Sequence, residues 1–134
     1  MQRKIKFIGW NPNTKEIVNN FNDCCLSFKS DNSFNITQYN ELGIHVLGEI
    51  IEDWNSLILM QFTGLKDKNG KEIYESFIIK KGGSKFVIEF RDGGFEMVGI
   101  KIICVARLCS SYRDIEIIGN IYENPELLND LHFK

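Results

Sequence analysis

Four cysteines and two histidines are the residues of this chain best equipped to hold a metal or act as nucleophiles, and their spacing suits neither task. A zinc site usually takes two ligands from one turn, at Cys-x-x-Cys or His-x-x-x-His spacing. Cys24 and Cys25 are adjacent, Cys104 and Cys109 are five apart, and His45 and His132 are remote from each other. Neighbours on a strand point to opposite faces, so Cys24 and Cys25 do not share a metal there. The N-terminus shows no apolar signal-peptide core, so an even cysteine count is no disulfide framework, and four free thiols packed as small hydrophobes are expected. Gly82-Gly83-Ser84-Lys85 has the composition of a phosphate loop without its order. That loop needs Gly-x-x-x-x-Gly-Lys-Ser/Thr leading into a helix, and here a strand pattern follows. With no Gly-x-Ser-x-Gly elbow and no local triad signature around either histidine, the expectation is no catalytic, cofactor-binding or metal-binding residues, no cofactor, and no enzyme.

Binding chemistry has one better candidate. Exposed aromatics beside basic residues stack single-stranded bases, and Phe77, Lys80, Lys81, Lys85 and Phe86 form the densest such group. The alternation of Phe86 with Ile88 and Phe90 argues instead that Phe86 belongs to the core. The formal net charge of −2 gives no field to recruit nucleic acid or an anionic membrane. The distribution is uneven: Lys66 to Lys85 holds six lysines against three acids, while Asp114 to Lys134 holds five acids against one lysine. The two segments suit an intersubunit pairing, or each is solvated surface.

The elements that must position these residues read as strands. Nineteen Ile, five Val and ten Phe stand against one Ala, a balance that disfavours long helices. At 134 residues, with 43% hydrophobic and 25% charged residues, the chain is globular and long enough for a single self-sufficient domain over 1–134. Its longest apolar run, Ile102 to Ala106, is five residues, far short of the ~20 that a membrane span needs, so no membrane partner and a cytoplasmic location are expected. Arg3 to Gly9 alternates, with Ile5 and Phe7 on one face, and meets a turn at Asn11-Pro12-Asn13 before Lys15 to Asn19. Cys24 to Lys29 reads as a strand before a turn at Asp31-Asn32-Ser33, and Asn35 to Ile51 is open between a short helix and strands.

Leu57 to Thr63 and Ile73 to Lys80 flank Asp67-Lys68-Asn69-Gly70, where Asn-Gly supplies positive φ for a tight turn. Lys85 to Arg91 and Phe95 to Gly99 flank Asp92-Gly93-Gly94 as the clearest hairpin, with Phe86, Ile88 and Phe90 on one face. Ile100 to Leu108 and Ile115 to Tyr122 follow as strands. Asn124 and Pro125 mark the cap and first position of a short helix reaching to about Leu131, which docks Leu127, Leu128 and Leu131 on the sheet.

Three blocks in fixed order carry a family resemblance: RKIKFIGW at Arg3 to Trp10, MQFTGLKDKNGKEIY at Met60 to Tyr74, and IEIIGNIYENPELL at Ile115 to Leu128. With VIEFRDGGF at Val87 to Phe95, they make the chain resemble the YopX family of phage and prophage proteins. After Glu75 that family commonly continues Gly-Asp-Ile-Val, where this chain has Ser76-Phe77-Ile78-Ile79, so the turn and acidic group implied there lose their usual residues. The resemblance implies a small β-rich protein of a bacterial phage or integrated element, with self-association in some members. It carries over no catalytic residue.

The reading that follows is mainly β, a small antiparallel sheet or barrel-like domain with a short C-terminal helix. Its function is expected to be non-enzymatic binding or assembly, as a homo-oligomer. The alternative is a nucleic-acid-binding small β-barrel that uses the Lys66 to Lys85 segment.

Overall fold

The computed structural model describes residues 4–18, 24–28, 34–38, 57–102, 104–108 and 114–129, and for 24–28 and 34–38 the backbone alone. Expectations for the 31–33 turn, for 39–51, and for His45, Cys109, Leu131 and His132 lie outside those residues, as do the side chains of Cys24 and Cys25. The chain divides into two compact units, Ile8–Leu59 and Met1–Phe7 together with Met60–Lys134.

In the first unit, β1 (Phe7–Asn11) and β2 (Glu16–Val18) pair antiparallel with Trp10 opposite Ile17. The turn is built by Asn11, whose Oδ1 accepts from the backbone N–H of Asn13 at 3.0 Å and Thr14 at 3.3 Å. The opening strand is shorter than expected, beginning at Phe7, and it is the Ile8 and Trp10 face that is buried while Ile5 is exposed. Period-two patterning names two faces without saying which one meets the core. Strands β3 (Cys24–Phe28) and β4 (Phe34–Gln38) pair antiparallel, which resolves the start of the 35–51 segment as strand.

The second unit is an antiparallel half-barrel over an apolar core. Strand β5 (Ile58–Lys66) turns into β6 (Glu72–Tyr74), and β7 (Phe77–Lys81), β8 (Ser84–Arg91), β9 (Gly94–Gly99), β10 (Val105–Arg107) and β11 (Ile115–Asn120) form one sheet of order β10-β9-β8-β7-β11. Strands β7 to β8 and β8 to β9 are joined by tight turns at the glycine pairs, with Lys81 opposite Ser84 and Arg91 opposite Gly94. At Asp92-Gly93 both φ are positive, 51° and 82°, the twist that a two-residue hairpin requires. One face of the sheet contributes Ile79, Phe86, Ile88, Met97 and Ile115 to a core shared with Ile73 of β6. The opposite face carries Ile78 and Val87, against which Leu127 and Leu128 pack.

A register shift in β11 lets adjacent residues serve both faces: Ile117 stands opposite Ile79, Gly119 opposite Ile78, and Ile118 is the extra residue between them. Ile117 accordingly joins one cluster and Ile118 the other.

Four expectations are corrected. The expected strand Ile73 to Lys80 is two, β6 and β7, separated at Glu75-Ser76, where Ser76 takes φ 69°. The turn therefore survives without glycine. Ile100 to Leu108 is not one strand: β9 must reverse to place Val105 opposite Val98, so 100–102 and Cys104 lie in the connection and, among the described residues, only Val105–Arg107 pairs. Phe90 shares a face with Phe86 and Ile88 but lies past the end of the core, 53% exposed, with its ring edge-on to Phe95 at 5.2 Å. The C-terminal helix is a single 3-10 turn, Pro125–Leu127, and Asn124 makes no side-chain cap. Its Oδ1 instead accepts from Asn120 N–H at 3.2 Å. That approach needs Gly119, since a Cβ there would meet Asn124 Cγ at 2.7 Å.

Candidate functional site

At the β7–β8 turn an open cleft lies against the core of the second unit. Phe86, Met97 and Ala106, all part of that core, line a cleft of about 760 Å³. The sheet register puts the three side chains together, because Met97 of β9 faces Ile88 on one neighbour and Ala106 on the other. Ile102 and Cys104, from the β9–β10 connection, form one wall. That connection is held by Gly99 N–H donating to the Cys104 carbonyl at 2.7 Å and Cys104 N–H to the Ile102 carbonyl at 3.0 Å. Lys68, Lys81, Ser84 and Asp114 supply the polar rim.

The rim charges differ in their commitments. Lys68 Nζ is 2.9 Å from Glu116 Oε2, a contact that raises the lysine and lowers the glutamate from their ordinary pKa values. Lys81 and Asp114 have no ion-pair partner among the described residues. Cys104 is a free, exposed thiol, so the expectation of a free thiol holds there while that of a packed hydrophobe does not. The loop geometry that puts it on the cleft wall has no local signature.

The aromatic and basic group is dispersed by the pleat. Phe86 is buried at 7% exposure, and Phe77 packs on the core with its ring 5.5 Å from Tyr74, so neither ring presents a stacking face. Lys80 stands opposite both Lys85 and Glu116. Part of the charge division between 66–85 and 114–134 is therefore satisfied within one chain, at Lys68 and Lys80 against Glu116.

Two further polar clusters escaped sequence reading, and both are structural. Asp67, only 5% exposed, accepts backbone N–H from Asn69 at 2.9 Å, Lys71 at 2.9 Å and Ile117 at 3.0 Å. Burial by itself pushes its carboxyl up, and the donors from Ile117, Lys71 and Asn69 outweigh that, leaving it below the usual aspartate value. The turn it organises has Gly70 at φ 82°, the positive φ expected of Asn69-Gly70. Glu72 pairs with Lys6, whose ammonium lies 5.1 Å from the centre of the Phe62 ring, and Glu72 also accepts from Tyr74 Oη at 3.4 Å. The hydrogen bond between them lowers Glu72 and raises Lys6, while burial raises the Tyr74 phenol. Only the Asx turn at Asp67, two residues before Asn69, was visible in the local sequence.

No helix among the described residues is long and apolar enough to cross a membrane. Among those residues no three His, Cys, Asp or Glu side chains group as a metal set.

Among solved structures, the chain is similar to protein EF1440 from Enterococcus faecalis, at 33% identity and a TM-score of 0.67, over 95% of this chain and 99% of that one. It is also similar to protein yopX from Bacillus subtilis, at 22% identity and a TM-score of 0.63, over 94% and 98% of the two chains, a likeness of fold. Comparison with curated proteins gave no match. The family model described as YopX protein matches residues 6–129, so the strand, turn and tail blocks described above are one family's pattern and the chain belongs to the YopX family.

Proposed function

We propose that the protein is a non-enzymatic binding protein whose contact site is the cleft at the β7–β8 turn, acting in the cytoplasm of a phage-infected or prophage-bearing bacterium. The observation that carries the reading is that an open cleft lies directly against the core, with the buried Phe86 and Met97 and the half-buried Ala106 among its lining. An apolar floor with a few polar groups at its rim is the usual make-up of a ligand site. The non-enzymatic part is supported by where the perturbed groups lie. Among the described residues, Lys6, Asp67, Glu72, Tyr74 and Glu116 are tied into turns and ion pairs, and of the shifted groups there only Lys68 reaches the cleft.

The test is an apolar fragment mixture titrated into the ¹⁵N-labelled full chain. Amide shifts confined to the cleft, and lost when Ala106→Trp fills it, support the reading; no localised shifts in the unmodified chain overturn it.

A second reading, self-association through the outer edge of β10, is favoured by a separate observation. Among the described residues β10 has β9 as its one sheet neighbour, and Val105 is 54% exposed with Ile102 at 40% beside it. Exposed edges of this kind pair with other chains. Light scattering across a dilution series should show a mass above 15.5 kDa that falls to that value in Val105→Lys. The nucleic-acid alternative is weakened by the burial of Phe86 and the pairing of Lys68. Salt-sensitive oligonucleotide binding lost on substitution of Lys80 and Lys81 would restore it.

A further inference from the structure

We infer that the cleft takes a zwitterionic ligand with a large apolar side chain, an amino acid or a short peptide presenting both of its termini, an inference that rests on the binding reading above. The rim holds two charges of opposite sign that have no ion-pair partner among the described residues, Lys81 and Asp114, while Lys68 is already paired with Glu116. Their placement follows from the register. Lys81 ends β7 opposite Ile115, which opens β11, and Asp114 immediately precedes Ile115, so both charges lie at one end of the β7–β11 pair. Ser84, opposite Lys81 across the β7–β8 turn, adds a hydroxyl to the same rim.

An anion at this rim meets Lys81 and is repelled by Asp114, and a cation meets the reverse. Neither single charge satisfies both groups. A carboxylate on Lys81 and Ser84 with an ammonium on Asp114 does, and it sends the apolar remainder onto Phe86, Met97 and Ala106. A purely apolar ligand leaves both groups solvated at the open rim and gains nothing from either. Specificity of this kind comes as much from what the rim rejects as from what it attracts.

The probes are phenylalanine and the tripeptide Ala-Phe-Ala, each as the zwitterion, the N-acetylated acid and the C-terminal amide, titrated into the ¹⁵N-labelled full chain. Capping either end is expected to weaken binding about five-fold, the scale of a solvent-accessible ion pair. In Asp114→Asn the acetylation penalty disappears and the amidation penalty stays; in Lys81→Gln the pattern reverses. A merely destabilised cleft would weaken all three forms together and overturn the assignment, with amide spectra reporting whether each variant is folded. Binding by the tripeptide alone identifies a peptide as the source, and binding by phenylalanine alone identifies the free amino acid. Cleft shifts of equal affinity from capped and uncapped probes overturn the zwitterionic class and keep the binding reading. Silence of the cleft toward these probes and the apolar fragments alike overturns both.

Discussion

Replacing Asp67 by asparagine exchanges one oxygen for an amino group, and the structure makes that change expensive. The carboxylate divides its work: Oδ1 accepts from Asn69 and Lys71 within the turn, and Oδ2 accepts from Ile117 on β11. Asparagine can keep the first pair as neutral bonds, but its amino group then faces the Ile117 N–H, donor against donor. Losing a charge-assisted bond at a half-buried amide and weakening two others amounts to about 2 to 3 kcal/mol. Asp67→Ala removes all acceptors, yet the exposed turn amides rehydrate, which holds its cost to about 3 to 5 kcal/mol.

The sign of the pH dependence follows from the direction of the shift. Asp67 lies below its ordinary value of 3.8 in the folded chain, so its contribution is complete above that pH and is lost as pH falls through the lower folded value. Urea unfolding followed by circular dichroism at about pH 6, 4, 3 and 2.5 should show the gap between native and Asp67→Asn chains narrowing only in the acid half of the series. A gap that is absent at neutral pH, or constant throughout, would refute the assignment of Asp67 as the link between turn and strand.

Three pairs of substitutions test the packing. Ile88→Ala, at a fully buried position, is expected to cost about 3 kcal/mol, whereas Phe90→Ala, more than half exposed, should cost about 1 kcal/mol; equal losses in urea midpoints would contradict the end of the core. Ser76→Gly should raise stability by about 0.5 kcal/mol by relieving the positive φ, net of glycine's extra chain entropy, and Ser76→Val should lower it, a contrast that thermal melts can check. Gly119→Ala should cost about 2 kcal/mol by displacing Asn124, and adding Asn124→Ala should recover part of that loss, as a double-mutant cycle would report.

The hairpins were legible because their turns demand residues that tolerate positive φ: Asn69-Gly70, Gly82-Gly83 and Asp92-Gly93 each announce themselves. Where the chain turns without such residues, the reading failed. Lys101 adopts φ 60° within an apolar β-branched stretch, and nothing in Ile100 to Leu108 marks a connection. Alternation told which face Phe90 occupies, but the depth of the core along that face depends on which strands cover it. Asp67 looked like a solvated turn residue, since its bond to Ile117 comes from fifty positions away. The cleft was invisible for the same reason, with Lys68, Lys81, Met97, Ala106 and Asp114 gathered from separate strands and loops.

That fifty-residue reach from Asp67 to Ile117 also bears on the order in which the second unit assembles. Strands β7 to β10 close through short connections, whereas bringing β11 back beside β7 and the Asp67 turn closes a much longer loop, and entropy favours the local pairings first. The meander from Phe77 to Arg107 is thus the natural nucleus, with the Asp67–Ile117 link forming after the rate-limiting barrier. Asp67 variants should then speed unfolding while leaving the folding rate nearly untouched, and Ile88 variants should slow folding itself. The strand that completes the sheet would be the first to leave it. Because Asp114 directly precedes that strand, the cleft would lose one rim before the core beneath it comes apart.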